Sequence, residues 1–352
     1  MKEWEQELRA VLPPEQIRAG EPMAAHCSFR TGGPADLFVS VRTVRQLQET
    51  LALLRAGKVP YFILGRGSNL LVGDGGYRGV VISMTDAALT SETDTAKEAG
   101  APYPSRAEKE AAEEAAAEDG VVCAEKESDG VPSLLGRLDA IRVEGNRILA
   151  GAGARLSRVA AAARDAGLGG LEFAAGIPGS VGGALVMNAG AYDGEMRQVV
   201  ASAFLLMENG EIRAFSREEM HFGYRTSVLK ECPAVAVQAE FVLTPMDPAV
   251  ISERMEELAQ RRRARQPLEY GSAGSTFKRP EGYFAGKLIM EAGLSGFCVG
   301  DAAVSEKHCG FVVNRGGASA AQIRQVIETV QERVRAHSGV ALEREVIWLG
   351  ES

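Results

Sequence analysis

A chain of 352 residues with 45% hydrophobic and 24% charged side chains can bury a substantial core, which excludes a disordered polymer or a disulfide-stapled miniprotein and points to two domains. No apolar run reaches the ~18 residues of a membrane span, so no membrane partner and a cytoplasmic location are expected; the five cysteines and four histidines fall at neither ligand nor redox spacings, so no metal is expected. The formal charge of −8 is concentrated, with thirteen acids against four bases between Asp86 and Gly130, and the nearly neutral remainder gives no support to a nucleic-acid partner.

The chain opens on an amphipathic helical pattern. A second helix is predicted over Val41 to Ala56 from apolar residues at Val41, Val44, Leu47, Leu51 and Leu54, and Gly57 ends it. Val59 to Leu64 reads as a buried strand running into Gly65, and Gly79 to Met84 as another. The acidic stretch of about 86–130 is rich in alanine and poor in large apolar residues, which predicts a surface insertion with a solvated helix over Arg106 to Asp119; an acidic docking tail for a basic partner is the alternative.

Beyond it, strands are predicted at Ala140 to Val143 and Arg147 to Ala150 around a Gly145-Asn146 turn, then a helix from Leu156 to Ala166. Further strands are predicted at Val199 to Leu206 and Ala234 to Leu243. Asp247-Pro248 opens a helix whose terminal run Arg261, Arg262, Arg263, Arg265 complements the helix dipole rather than marking a polyanion site. A last helix is capped by Ser319 with Gln322 as its capping-box partner, and Ala341 to Leu349 reads as the final strand. The interleaving gives an α+β chain, divided near Thr244-Pro245-Met246-Asp247-Pro248 into 1–245 and 246–352.

Two segments carry the chemistry. Leu64-Gly65-Arg66-Gly67-Ser68-Asn69-Leu70 is a strand emptying into a glycine loop, where small residues let consecutive N–H groups converge on a pyrophosphate. It lacks the third glycine and following helix of a dinucleotide fingerprint, and read alone it is equally a plain turn. Gly176-Ile177-Pro178-Gly179-Ser180-Val181-Gly182-Gly183-Ala184, running on to Met187-Asn188-Ala189-Gly190, is denser and could lay bare backbone against a flat ring or phosphate.

With these loops the chain resembles the UDP-N-acetylenolpyruvoylglucosamine reductases, flavoenzymes of peptidoglycan synthesis. The likeness starts at His26-Cys27-Ser28-Phe29-Arg30-Thr31-Gly32-Gly33, resumes at Phe222-Gly223-Tyr224-Arg225-Thr226-Ser227, and closes through Gln266-Pro267-Leu268, Ala273-Gly274-Ser275-Thr276-Phe277 and Leu342-Glu343-Arg344-Glu345-Val346. It spans nearly everything except the acidic insertion. The short span from Arg225 to Ser275 resembles the family's shorter branch.

The resemblance implies a two-lobed FAD-binding region, of the type seen in vanillyl-alcohol and p-cresol oxidoreductases, followed by an α+β substrate-binding domain. It implies non-covalent FAD, NADPH as co-substrate, and a UDP-sugar as substrate. Arg66, Gly67, Ser68, Asn69 and Leu70 would meet the cofactor from the first loop. Gly176, Ile177, Pro178, Gly179, Ser180, Gly182, Gly183 and Asn188 would meet it from the second, with Tyr224 beside them.

Arg225, Ser275 and Glu345 are carried over by motif as the catalytic set. A guanidinium and an undissociated carboxylic acid suit a developing enolate, and a hydroxyl suits protonation of its α-carbon. Arg265, Lys278 and Arg279 could hold a diphosphate, and Tyr270 or Tyr283 could stack on uracil. The chain departs from the family pattern at Gly271, Ser295 and Asp301, where proline, lysine and glycine are usual; the last two changes make the expected dianion site less positive. A sugar or alcohol oxidase on the same flavin fold, and a flavin-binding module without catalysis, are the rival readings. No oligomeric state is read from the sequence.

Overall fold

The computed structural model describes residues 3–85 and 134–351. The acidic insertion and its expected helix lie outside the described residues. Deleting 90–129 is expected, from composition alone, to leave soluble, flavin-loaded protein; loss of soluble protein on expression of the deletion variant would show that the segment packs.

Helix α1 (Glu3–Val11) leads into β1 (Ile17–Pro22) and β2 (Pro34–Ser40). Helix α2 (Val44–Ala56) starts where Thr43 accepts a hydrogen bond from Gln46 N at 3.1 Å, three residues after the Val41 start that the apolar period predicts. Then come β3 (Tyr61–Leu64), β4 (Leu70–Val72) and β5 (Tyr77–Ser83). Strand β3 begins after Pro60, which has no N–H to donate and whose carbonyl instead accepts from Val80 N. All of these strands but β4 form a four-stranded sheet in the order β1-β2-β5-β3, with β2, β5 and β3 parallel.

The second lobe contains β6 (Ile141–Glu144), β7 (Arg147–Gly151), α3 (Leu156–Asp165), α4 (Val181–Met187), β8 (Val200–Leu206), β9 (Ile212–Ser216) and β10 (Val235–Val242). Its five-stranded antiparallel sheet has the order β9-β8-β10-β7-β6. One apolar core, from Leu8 through Ile82 and Leu156 to Leu243, joins both lobes. Helix α5 (Pro248–Arg265) begins at Asp247, which accepts from Ala249 N at 2.8 Å, and packs on α3.

The last part holds α6 (Ala285–Glu291), the three-stranded sheet β11 (Cys298–Val299), β12 (Ala302–Val304) and β13 (Val312–Asn314), then α7 (Ala320–Ser338) and β14 (Ile347–Leu349). Ile323, Val326, Ile327, Val330 and Val334 of α7 are all fully buried, each contributing roughly 1.5–3 kcal/mol of transfer free energy. The Ser319–Gln322 capping box forms as expected, and Asp74 from the first lobe adds two bonds to the same helix start, accepting from Ala320 N at 2.8 Å and Ala321 N at 2.9 Å.

Two further ties fix this part to the first lobe. Cys27, Phe29 and Leu71 sit inside the C-terminal core, and β14 pairs parallel with β4. The final strand is therefore shorter than the expected Ala341 to Leu349. Residues before Ile347 spend their backbone bonds on loops instead: Lys278 N donates to Glu343 O at 2.8 Å and Glu345 N to Thr276 O at 2.9 Å. Among the described residues no helix is long and apolar enough to cross a membrane, and no cluster of three or more His, Cys, Asp or Glu could hold a metal.

Candidate active site

The two glycine loops meet. A Cβ at Gly65 would lie 2.5 Å from Ser180 Oγ and would displace that hydroxyl, and one at Gly67, where φ is +60°, would lie 2.0 Å from the His26 carbonyl, so Gly67 admits only glycine. Ser180 is buried and caps α4 by accepting from Gly183 N at 3.3 Å. At Gly179 and Gly183, by contrast, a Cβ would meet nothing closer than 3.5 Å. Protein packing does not demand glycine there, and what the two residues offer is bare backbone to an approaching ligand. Their N–H groups are engaged, Gly179 N donating to Ile177 O at 2.8 Å and Gly183 N to Ser180 Oγ, so the two glycines supply close approach rather than donors; that bare surface, with the buried Arg66 guanidinium in the adjoining loop, fits the flat ring and diphosphate of FAD.

Several residues expected on the cofactor have structural duties as well. Asn188, in the left-handed region at φ 41°, donates from Nδ2 to Glu195 Oε2 and Gly223 O, both at 3.0 Å, and accepts from Arg197 N at 3.0 Å; its amide is fully engaged within the protein. Asn69 Nδ2 donates to Glu345 O at 3.1 Å while Asn69 O accepts from Ile347 N at 3.0 Å. Leu70 is a buried residue of β4. Ile177 packs against the main core, and its N–H donates to Ala174 O across the turn before Pro178 and Gly179; Gly176 and Gly182 lie on either side of that bend, against Arg262 and Ala152. Ser68 is half-buried beside them.

The carboxylate and guanidinium of the proposed set come together across 120 positions: Arg225 Nε donates to Glu345 Oε1 at 2.8 Å. Asn69 on one side and Thr276 on the other hold the Glu345 backbone. Thr276 is itself fixed, its N–H donating to Gly310 O and its hydroxyl accepting from Val312 N, both at 2.9 Å. Ser275, its chain neighbour, is exposed, with no protein partner for its hydroxyl among the described residues. Burial pushes the Glu345 carboxyl above the usual carboxylate range, against the pull of Arg225, then Lys230 and Lys278. The carboxyl is thus held toward its neutral form even beside a guanidinium.

Of the residues expected to bind substrate, Lys278 pairs with Glu343. Arg279 lies over the Phe284 ring at 4.0 Å and its backbone N–H donates to Tyr224 Oη at 2.9 Å. Tyr224, Tyr283 and Phe284, gathered about Arg279, remain 55%, 49% and 59% exposed, rings able to take a base, and Tyr270 is separately exposed at 40%. Arg265 is exposed at the end of α5. The unusual Asp301 accepts from Gly317 N at 3.0 Å, ahead of α7, and Gly271 allows close approach to the Phe29 carbonyl, 2.9 Å from its would-be Cβ; Ser295 is exposed.

Lys230 was not singled out from the sequence. Its Nζ donates to the Arg225 carbonyl at 2.7 Å, and a lone lysine ending a single 3-10 turn (Val228–Lys230) carries no pattern that distinguishes it in the sequence.

Comparison with known proteins identifies the family. The model of the UDP-N-acetylenolpyruvoylglucosamine reductase C-terminal domain matches residues 266–349, and that of an FAD binding domain matches 35–108 and 118–216. The chain is 43% identical over 336 residues to the UDP-N-acetylenolpyruvoylglucosamine reductase of Clostridium perfringens, covering 96% of this chain and 94% of the relative. It is 45% identical over 340 residues to that of Agathobacter rectalis, covering 97% and 96%. The crystal structure of the reductase from Thermus caldophilus superposes with a TM-score of 0.68 at 30% identity, over 95% of this chain and 99% of that one. With the glycine cradle, the Arg225–Glu345 pair and this likeness along its whole length, the chain belongs to the UDP-N-acetylenolpyruvoylglucosamine reductase family.

Proposed function

We infer that the protein is an FAD-dependent, NADPH-consuming reductase that converts UDP-N-acetylenolpyruvoylglucosamine to UDP-N-acetylmuramate in peptidoglycan synthesis. The observation that carries the site assignment is the Arg225–Glu345 pair at 2.8 Å, with the Glu345 backbone tied to Thr276, the chain neighbour of exposed Ser275, and to Asn69 of the first glycine loop. The chemistry that bound FAD would supply is hydride transfer, from NADPH to the flavin and from the reduced flavin to the β-carbon of the enolpyruvyl ether, leaving the α-carbon to take up a proton. The residues of this chain do the rest.

Arg66 and the backbones of Gly67, Ser68, Gly179 and Gly183 would hold the cofactor. Arg225 binds the carboxylate of the substrate. The neutral form of Glu345 donates a hydrogen bond to that carboxylate as negative charge spreads onto it from the α-carbon, and Ser275 delivers the proton that the α-carbon takes up. Arg265, Lys278 and Arg279 hold the diphosphate and Tyr270 or Tyr283 stacks on the base. Gly274, at φ +73° with open space about its would-be Cβ, lets the chain reverse so that Ser275 faces solvent and ligand rather than the core.

The division between cofactor and substrate parts belongs to the same reading. The packing of α5 on α3, and a matched C-terminal domain that begins at 266, favour keeping α5 with the cofactor part. A cytoplasmic location, where NADPH is supplied, follows from the reaction. The oxidase and non-catalytic readings give way to the reductase, since the match extends through the substrate part.

The protein is expected to purify yellow, with FAD released intact on denaturation. Its absorbance should bleach on adding NADPH and return, without oxygen, on adding the enolpyruvyl nucleotide. Colourless protein that FAD cannot reconstitute, or bleached protein that only oxygen restores, would overturn the reading.

A further inference from the structure

The turn that presents Arg225 is strained and tightly held. Gly223 and Thr226 bridge antiparallel, with Gly223 N donating to Thr226 O at 3.1 Å and Thr226 N to Gly223 O at 3.3 Å, which leaves Tyr224 and Arg225 as a two-residue loop. Arg225 takes φ 55°, the left-handed region that side chains other than Asn and Asp rarely adopt. Such a conformation persists only where its surroundings over-determine it.

Three contacts do so. Asn188 holds the near end of the turn through Gly223 O, Glu345 holds the tip of the arginine through Nε, and Lys230 holds the carbonyl of the strained residue itself at 2.7 Å. A bonded carbonyl fixes ψ at Arg225 and blocks relaxation toward the right-handed region. The guanidinium then keeps the one direction in which it meets Glu345 and a substrate carboxylate together.

We propose that Lys230 is a positioning residue for reduction of the enolpyruvyl group, locking the Arg225 turn through its carbonyl while placing a positive charge beside the Arg225–Glu345 pair. This rests on the reading of that pair as the site of enolate stabilisation. The charged groups facing Lys230 and Glu345 are Arg225, Lys278 and Glu343, the last already paired with Lys278. Lys230 is one of the three cations that oppose the effect of burial on the Glu345 carboxyl. Removing it therefore moves the Glu345 titration further up, whereas a residue that only supports the fold leaves it where it is.

The test uses the FAD-loaded enzyme and two substitutions, Lys230→Met, which keeps length and removes charge, and Lys230→Arg, which keeps charge. In Lys230→Met the reoxidation of the reduced enzyme by UDP-N-acetylenolpyruvoylglucosamine should lose at least tenfold more rate than its reduction by NADPH. The high-pH limb of reoxidation should move upward by roughly 0.5–1 unit. Lys230→Arg should return that limb to its wild-type position. A second readout needs no turnover: the carboxyl C=O stretch of Glu345, identified by its loss in Glu345→Gln, should titrate at correspondingly higher pH in Lys230→Met. An unmoved limb and an unmoved infrared titration, or equal slowing of both half-reactions with a lowered Tm, would overturn the proposal. If the wild-type enzyme is not reoxidised by the nucleotide at all, the functional reading fails, and the infrared titration still decides whether Lys230 governs Glu345.

Discussion

Ser275→Ala should be reduced by NADPH at close to the wild-type rate and then stall, its reoxidation by the enolpyruvyl nucleotide falling by ~10²–10⁴-fold, or about 3–5 kcal/mol of barrier. The two half-reactions separate because electron entry from NADPH draws no proton from this hydroxyl, whereas completion of the product does. The structure makes the substitution a clean one. The hydroxyl has no protein partner among the described residues and the residue is exposed, so nothing in the fold depends on it. The loop is fixed one position later, by Thr276, whose N–H, hydroxyl and carbonyl are all engaged at 2.9 Å. Thermal stability should therefore stay within about 0.5 kcal/mol of wild type. Stopped-flow traces of flavin absorbance read both halves in one experiment. Equal slowing of the two, or a large loss of Tm, would sink the assignment of Ser275 as proton donor.

Elements with a local signature were legible in the sequence. Asp247 and Ser319 each cap the helix that follows them, because a side-chain oxygen at an N-cap bonds a neighbour only two or three residues on and so writes itself into a short window; Thr43 caps its helix in the same way but lies inside an apolar period that runs back to Val41. What could not be read is whatever joins distant segments. The pairing of β4 with β14, the docking of Asp74 on α7 and the insertion of Phe29 into the C-terminal core leave no period in the chain. The same holds within the site. Asn69 reads as one more polar residue of a glycine loop, and its hold on Glu345, 276 positions away, exists only in three dimensions. Arg225, Ser275 and Glu345 were found as a set through family order, since no spacing rule links them. Lys230, which fits no motif, required the coordinates.

Glu345→Gln tests the other half of the chemistry and carries a pH signature that Ser275→Ala lacks. Burial raises the Glu345 carboxyl above its ordinary range, with Arg225 the largest opposing influence. A substrate carboxylate that engages the Arg225 guanidinium weakens that opposition and favours the protonated acid further. If the neutral acid is the working form, wild-type reoxidation is fast at low pH and falls as pH rises through the raised titration. Gln is neutral at every pH and still donates a hydrogen bond, but from an amide, a poorer donor to a developing enolate. Reoxidation in Glu345→Gln should accordingly be slower by about 10²–10³-fold, the scale of losing one well-placed donor, and the high-pH limb should vanish. Stability follows the same sign. A carboxyl whose folded titration is raised favours folding most at pH below its unfolded titration, and that contribution is lost as pH rises through the folded one. The wild type should therefore lose stability relative to Glu345→Gln across that window. Reoxidation rates measured in both proteins from acid to alkaline pH decide the matter: a high-pH limb that survives in Glu345→Gln would assign the titrating group elsewhere and remove Glu345 from the role of proton-bearing acid.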